Sequence, residues 1–385
     1  MSELRVLHLF ANYKWTGPAD PAIRAAARLR GLGLDVHFTQ ADFVHPGGEH
    51  RVAEELARWQ VPAVTGLKLR KHFHVPSLLR DVRKLRALLD RDRYDVLHCH
   101  QGGDHLLAAL AVRRLGRKPV VVRSLYDPEP PRRGWRERAA FRRTDAVLAP
   151  TTQAQEGVRR RFKLREDRVL LLEPVTEPRA MHGPDARDRF GVERGQLVVG
   201  ITARVQPQRR FELLWRVVAQ VAHAVPEVRF VLLGRGNDVD MRALVHEPIA
   251  RAGIGAHVVL PGYQKGAAYE EALRALDVFL FLVPGSDGTC RAVCDAMAFG
   301  LPVVATRRGI LPELLAARRQ GEVPGFSVEE TPEAMSAALI SLLTDAHLRA
   351  RTSDAALGRA RSDMDPERAA QRTKALYEEL VGARR

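Results

Sequence analysis

Residues 284–314 read PGSDGTCRAVCDAMAFGLPVVATRRGILPEL. The run before them, DVFLFL from Asp277 to Leu282, is apolar after its first residue and is bounded by Pro284-Gly285. A strand buried on both faces, as in a parallel sheet, has this composition. A polar loop follows, Gly285-Ser286-Asp287-Gly288, with Thr289 as an N-cap. The pattern then predicts a helix over Cys290–Phe299, closed by Gly300. Leu301-Pro302 restarts the chain, PVVAT is the next strand, and Gly309 with Pro312-Glu313 opens another helix. Helix N-termini thus fall at the carboxyl ends of parallel strands. Their unpaired N–H groups and positive partial charge suit a phosphate, and ligands of open α/β sheets bind at this edge.

The same stretch carries two acids eight residues apart, Asp287 in the loop and Asp295 in the helix. A carboxylate accepts bonds from two adjacent hydroxyls of a ribose or sugar ring. On spacing alone, Asp287 reads equally as a helix cap and Asp295 as a solvated helix residue.

The whole stretch resembles the nucleotide-sugar site of family 4 glycosyltransferases, retaining enzymes of the GT-B fold. The residues that carry the likeness are Asp287-Gly288, Asp295-Ala296-Met297-Ala298, Phe299-Gly300-Leu301-Pro302-Val303-Val304-Ala305-Thr306, and Gly309-Ile310-Leu311-Pro312-Glu313. The family usually has Glu at both acid positions, so each carboxylate here is one methylene shorter. The resemblance implies that Asp287 meets the donor sugar, and that Asp295, Gly288, Thr289 and Cys290 hold the nucleotide.

Composition agrees with a folded enzyme. At 385 residues the chain is long enough for two domains, each with its own core. Hydrophobic residues make up 45% and charged residues 28%, which excludes a disordered chain. Glu3 and Arg5 precede a short apolar run, so the beginning reads as a first strand and not a signal peptide. No apolar run approaches the ~18 residues of a membrane span. Three cysteines, Cys99, Cys290 and Cys294, provide no disulfide framework and fit a reducing, cytoplasmic setting. Cys290 and Cys294 lie one helical turn apart without His or Cys companions, and read as packing residues.

The net charge of +15 is uneven. Residues 1–189 hold 36 Lys+Arg against 23 Asp+Glu, a balance of +13, whereas residues 190–385 hold 25 against 23, a balance of +2. The basic excess falls in clusters such as Lys68–Arg86, Arg132–Arg143 and Arg159–Lys163. Such asymmetry points to an anionic partner: a membrane surface, a phosphorylated acceptor or nucleic acid. For any one cluster, a solvated Arg-rich surface is an equal reading.

The first half alternates strand and helix: RVLHLF, a loop with Thr16-Gly17-Pro18, a helix from Pro21 to about Arg30, then DVHFTQ. Amphipathic helices follow over Arg51–Gln60 and Leu78–Leu89. The strand Asp95–His98 runs into Cys99-His100-Gln101-Gly102-Gly103-Asp104-His105 and resembles the family's strand end at the acceptor cleft. His98 reads as packed, and His100 or His105 as the cleft residue. PVVVR ends at Ser124-Leu125-Tyr126-Asp127, where the family often has His-Asp; Tyr126 stands at the His. The likeness thus assigns Gly17, His100 and Tyr126 to the acceptor and sugar cleft.

In the second half, LVVGIT leads into Ala203-Arg204-Val205-Gln206-Pro207-Gln208-Arg209. This resembles the family's Gly-Arg-x-x-Pro-x-Lys, whose two bases bind the donor pyrophosphate, so Arg204 and Arg209 join Asp287 as catalytic candidates. Arg at the Lys position exchanges a point charge for a fork. VRFVLLGRGND carries Gly234, assigned by the likeness to the nucleotide, and HVVLPGY is a further strand. Residues 367–381 form a final amphipathic helix, which in the family crosses back onto the first domain.

The resemblance implies an α/β, GT-B architecture of two Rossmann-like, doubly wound domains facing across a cleft. The expected bounds are an acceptor domain over 1–175, a linker over 176–190, a nucleotide-sugar domain over 191–364, and the crossing helix over 365–385. The implied activity is that of a hexosyltransferase-type, retaining glycosyltransferase. It moves a sugar from a nucleoside-diphosphate sugar, UDP by family frequency, to an acceptor hydroxyl on a cell-envelope glycan or lipid-linked acceptor. Neither a metal nor a separate cofactor is expected, and the location would be cytoplasmic, on the inner face of the membrane. A catalytically weak nucleotide-sugar-binding relative and a nucleic-acid-binding protein are the alternatives; for the latter no nucleic-acid module is visible.

Overall fold

The computed structural model describes residues 4–42, 51–70, 72–172, 174–177, 179–283, 288, 290–318 and 321–384. The chain divides into two compact units. The first holds Met1–Val175, Ser286–Thr289 and Pro366–Arg385; the second holds Thr176–Gly285 and Cys290–Asp365.

The first unit is built on six parallel strands: β1 (Arg5–Phe10), β2 (Asp35–Gln40), β3 (Val96–Cys99), β4 (Val120–Ser124), β5 (Ala146–Ala149) and β6 (Val169–Leu171). Their order is β2-β1-β3-β4-β5-β6. Successive side chains point to opposite faces of a strand. Val6 and Phe10 therefore join one core with the Ala19–Gly31 and Pro366–Gly382 helices, while Leu7 and Leu9 join another with the Val75–Asp92 and Gly102–Val112 helices. Both faces are covered, which is why strands such as β3, β4 and β5 read as largely apolar runs. The Pro366–Gly382 helix is tied in by polar bonds as well: Lys374 Nζ donates to Leu32 O at 2.8 Å and Arg372 Nη2 to Leu171 O at 2.9 Å.

The second unit repeats the plan with β7 (Val198–Arg204), β8 (Arg229–Arg235), β9 (Val258–Gly262), β10 (Val278–Phe281), β11 (Val303–Thr306) and β12 (Gly325–Val328). All pair in parallel, in the order β12-β11-β10-β7-β8-β9. Counted from its first strand this is 3-2-1-4-5-6, the order of dinucleotide-binding folds, with the reversal between β7 and β10. In the first unit the reversal lies between β1 and β3.

Two details differ from the sequence reading. The helix expected over Cys290–Phe299 spans Arg291–Ala298, and Cys290 precedes it in the left-handed region at φ 52°, ψ 48°. A non-glycine residue there costs about 1–2 kcal/mol, and the Cys290 side chain is buried in the apolar core beside Cys294. Beyond Leu314 the chain adds β12 and the helices Pro332–Thr344 and Ala346–Ser362, which were not anticipated. The first of these has a legible start, since the Thr331 hydroxyl accepts from Ala334 N and Pro332 follows it.

Candidate functional site

In the second unit the carboxyl ends of β7 and β10 flank the reversal point. β7 runs out to Arg204, which is exposed. A 3-10 turn, Pro207–Arg209, then brings Arg209 back toward the end of β10, where its Nη1 donates to Val283 O at 3.0 Å. Arg209 is half-buried. Burial and the neighbouring Arg204 guanidinium both hold its pKa below the usual arginine value. Among the described residues neither arginine has a carboxylate within ion-pair distance. Two cations close together and without an anion, one of them half desolvated, make a site that an anion would stabilise. A recess of about 290 Å³, open solvent included, lies against Arg209 and is lined by Thr202, Ala203, Phe211, Phe281 and Leu282.

The helix after this turn, Phe211–Ala224, starts from Arg210, a second left-handed non-glycine residue at φ 59°, ψ 42°. Arg210 is held by Glu330 at 2.8 Å and by Glu212 at 2.5 Å. Cys290 and Arg210 thus occupy the same strained conformation at the starts of two helices that follow β10 and β7. Sparsely populated backbone of this kind persists where its surroundings over-determine it, and such positions cluster at ligand sites.

Gly234 lies at the end of β8, opposite Ala203 in register. A Cβ there would stand 1.9 Å from Ala203 O, and one on Gly236 would meet Val205 Cβ at 2.8 Å. The Gly-x-Gly therefore lets β8 approach the end of β7, the strand that presents Arg204.

Asp295 is on the Arg291–Ala298 helix, where its Oδ1 accepts from the Thr176 hydroxyl at 3.4 Å and lies 3.9 Å from Arg179 Nη2. Arg179 in turn bonds Glu270 at 2.7 Å. The half-buried Tyr269 is nearby; burial and the Asp295 charge both push its hydroxyl pKa up. Arg179 and Thr176 were missed by the sequence reading, because residues 176–190 read only as a proline-containing connection. Asp287 and Thr289 lie outside the described residues. Gly288 counts with the first unit, where a Cβ would come 2.5 Å from Tyr126 O, so it and Tyr126 are neighbours.

In the first unit the strands β1 and β3 end in a buried polar network. His8 Nδ1 and His100 Nε2 are 2.9 Å apart, and His100 Nδ1 is 2.6 Å from the Tyr126 hydroxyl. His98 hydrogen-bonds with Tyr377 through Nδ1 and with Ser124 through Nε2, the latter at 2.7 Å. Burial lowers the pKa of all three rings, His8 to about 3, so they stay neutral. Their ligand atoms lie within 4.8 Å of one another, close enough to suggest a metal. Five of the six ring nitrogens are already hydrogen-bonded, however, so the cluster reads as a satisfied core and not a ligand set.

His98 is packed, and His100 is buried too, reaching the half-buried Tyr126 and not open solvent. His105, the other cleft candidate, is turned inward: its Nε2 lies 2.7 Å from the Thr144 hydroxyl and its ring meets Phe141 edge-on. Gly17 is half-buried in the turn before Ala19–Gly31, where Ala19 N donates to Thr16 O at 2.9 Å. The organiser of this edge is Asp104, which the sequence reading passed over. Its carboxylate accepts from Ala11 N at 2.9 Å, Gln101 N at 2.9 Å and His100 N at 3.2 Å, joining the ends of β1 and β3. Burial pushes it up to about 7, against Arg123 and these three N–H bonds. Its signal was Gln101-Gly-Gly-Asp104, the spacing of a capping box.

Known proteins share the family and the fold of this chain. The family model "Glycosyltransferase Family 4" matches residues 22–174, and "Glycosyl transferases group 1" matches residues 196–345. A D-inositol 3-phosphate glycosyltransferase of Stackebrandtia nassauensis is 31% identical over 367 residues, covering 88% of this chain and 81% of that protein. A GDP-mannose-dependent alpha-mannosyltransferase of Mycobacterium tuberculosis is 28% identical, covering 79% of each. Among solved structures, a glycosyltransferase from Rickettsia africae superposes with a TM-score of 0.82 at 14% identity over 99% of both chains. Anabaena HepE, in complex with UDP and glucose, does so with 0.73 at 18% identity, over 97% of this chain and 99% of that one. The two parallel sheets are thus those of GT-B enzymes, and the chain belongs to glycosyltransferase family 4.

Proposed function

We propose that the second unit binds a UDP-sugar and that the enzyme transfers its hexosyl group, with retention, to an acceptor hydroxyl. The observation that carries this is the pair Arg204 and Arg209, without acidic partners among the described residues, at the reversal point of a dinucleotide-binding strand order. A diphosphate supplies the missing anion. As the anomeric C–O bond breaks, negative charge grows on the departing diphosphate, and the two guanidinium groups lower its energy without a metal. The acceptor oxygen then bonds the anomeric carbon, and its proton passes to the departing phosphate on the same face. No side-chain nucleophile or further cofactor is needed in this scheme.

Backbone N–H groups at the start of the Arg291–Ala298 helix, near Cys290, and the loop through Gly288 and Thr289 would hold the nucleotide. Asp295 would take the ribose hydroxyls, steadied by Arg179, and Asp287 the sugar. Asp295→Asn should then weaken binding of free UDP, whereas Asp287→Asn should leave UDP binding nearly unchanged and raise the KM of the UDP-sugar. Equal loss of UDP affinity in both would separate neither role. Gly17, His100 and Tyr126 fall to the acceptor and sugar side, with Tyr126 as a hydroxyl donor in the place of a histidine.

UDP is bound in the HepE structure, whereas one curated relative is named for GDP-mannose, so the base is the first thing to test. A thermal-shift screen of UDP-, GDP- and ADP-sugars does so. A ligand at 100 times its Kd adds about 2.7 kcal/mol of stability. Stabilisation by GDP-sugars alone would remove UDP; no stabilisation by any of them would remove the donor site. For the acceptor, the first-half charge of +13 favours a cell-envelope glycan or a lipid-linked acceptor at the cytoplasmic face of a membrane. Among the described residues no helix is long and apolar enough to cross one.

A further inference from the structure

The first unit exposes an apolar cluster that its fold does not use. Among the described residues the large apolar side chains most open to solvent are six, and four of them are Phe73 (45%), Val75 (50%), Leu79 (56%) and Trp135 (68%). They come from two places far apart in sequence, the start of the Val75–Asp92 helix and the start of the Trp135–Phe141 helix. The structure joins them: the rings of Phe73 and Trp135 meet edge-on with centroids 5.9 Å apart, and the Arg136 guanidinium lies 4.9 Å above the Phe73 ring. Exposed apolar side chains scattered singly need no explanation, but a joined patch does.

The surroundings of the patch are cationic and unpaired. Arg80, Arg83, Arg132, Arg133, Arg136 and Arg138 are exposed, and among the described residues none is within ion-pair distance of a carboxylate. Another basic cluster of the same unit shows the contrast. There Arg159 pairs with Glu166 at 2.8 Å, Arg160 with Glu156 at 3.2 Å, and Arg165 with Asp167. That cluster is partly compensated by its own acids; the arginines named around Phe73 and Trp135 are not.

The position is also informative. Both helices begin at the carboxyl edge of the sheet, the edge of His100 and Tyr126. The segment leading to Phe73 lies over this edge, since a Cβ on Gly103 would stand 3.5 Å from Arg70 O and 3.4 Å from Ala11 Cβ. On the Val75–Asp92 helix, Val82, Leu85 and Leu89 face the core, which leaves Leu79 and the arginines for the other side.

We infer that this face docks on an anionic lipid surface, with Phe73, Val75, Leu79 and Trp135 entering the headgroup–acyl boundary and the arginines contacting phosphate headgroups. The proposal deepens the membrane reading above by naming the face, and rests on that reading only for its choice of partner. Trp and flanking basic residues are the side chains that settle at membrane interfaces. The phosphate headgroups match the unpaired guanidinium groups in charge and geometry. Nucleic acid would match the cations and stack on the rings, but Val75 and Leu79 offer a base nothing, whereas acyl chains bury them.

The test is co-sedimentation of the whole protein with vesicles of phosphatidylcholine alone or mixed with phosphatidylglycerol, across a salt series. Binding to the anionic vesicles is expected, with a blue shift of Trp135 emission that Trp135→Phe abolishes. Phe73→Ser with Trp135→Ser should lower partitioning about tenfold at unchanged melting temperature. Arg80→Glu with Arg136→Glu should remove the preference for anionic lipid. Binding that vanishes at moderate salt and ignores the two aromatic replacements would overturn insertion at this face, as would binding to neither vesicle type. Oligonucleotide binding sensitive to the same variants, without vesicle binding, would overturn it in favour of nucleic acid. Transfer to a soluble acceptor hydroxyl, measured alongside, reports on the catalytic reading separately and should survive every one of these substitutions.

Discussion

The two units have the same architecture of six parallel strands but reverse their strand order at different places, and they use the reversal differently. At the β1/β3 edge the first unit packs neutral rings and one buried carboxyl group into a hydrogen-bonded network. At the β7/β10 edge the second leaves two guanidinium groups without acidic partners among the described residues. At the first edge most ring nitrogens and the Asp104 carboxyl group are hydrogen-bonded within the protein, His8 Nε2 being an exception; at the second, two cations have no acidic partner among the described residues. Repetition of a fold therefore says little about repetition of a site, and the polar inventory at each edge says more.

The comparison is broken most forcefully by acid. His8, His98, His100 and His105 are buried neutral with lowered pKa values, so in this pH range the unfolded chain binds protons that the folded first unit refuses. Stability from these rings is present above about pH 6.5 and is lost as the pH falls, for His8 toward about 3, at roughly 1.4 kcal/mol per pH unit for each ring that stays neutral. Asp104 acts in the opposite sense. Its folded pKa of about 7 exceeds the unfolded value, so its contribution is present at low pH and fades as the pH rises through about 7. Four rings outweigh one carboxyl group. Hydrogen exchange at about pH 5 should thus show β1, β3 and β4 opening before β7, β8 and β10. Simultaneous opening of both sheets, or no acid sensitivity, would break the contrast.

At the other edge, Arg204→Ala and Arg209→Ala should each lower kcat on the order of 10²-fold, as for loss of one transition-state donor. Full activity in the double variant would show that the unpaired cations do not meet the leaving group. Smaller again is Gly234→Ala, which places a methyl group where only Ala203 O fits and should destabilise by about 1–3 kcal/mol, read from the denaturant midpoint. Gly102→Ala in the first unit, with nothing within 4 Å, should be nearly silent by the same measurement. An equal cost for both would mean that close approach of β8 to β7 is not needed. The mildest of the destabilising replacements is Tyr377→Phe, which leaves buried His98 Nδ1 without its partner, at about 1–2 kcal/mol. No loss would mean that the ring finds another partner, and the network at the first edge would be less specific than its distances suggest.

Strands such as β1, β7, β10 and β11 were legible because each is a largely apolar, largely buried run, a pattern local to four to seven residues, whereas the half-buried β12 was not. The positions of Arg204, Arg209, Gly234 and Asp295 in the second unit were legible because each stands within one turn of a strand or helix end. What the sequence left open depends on residues far apart in the chain. Asp104 joins its own helix start to Ala11, 93 residues earlier, and Tyr377 meets His98 across 279 residues. Phe73 and Trp135 looked like isolated apolar residues among arginines until the packing of two helix starts brought their rings together. Likewise Cys290 and Arg210 showed no sign of left-handed backbone, because the packing that holds a residue there comes from elsewhere in the fold. By itself, then, the sequence determined which segments are buried and which edge carries charge, as hydrophobic period and charge act locally. Strand order, the partners of each polar group and the joining of the exposed patch were decided only by the tertiary structure, because they depend on which distant segments the packed cores bring into contact.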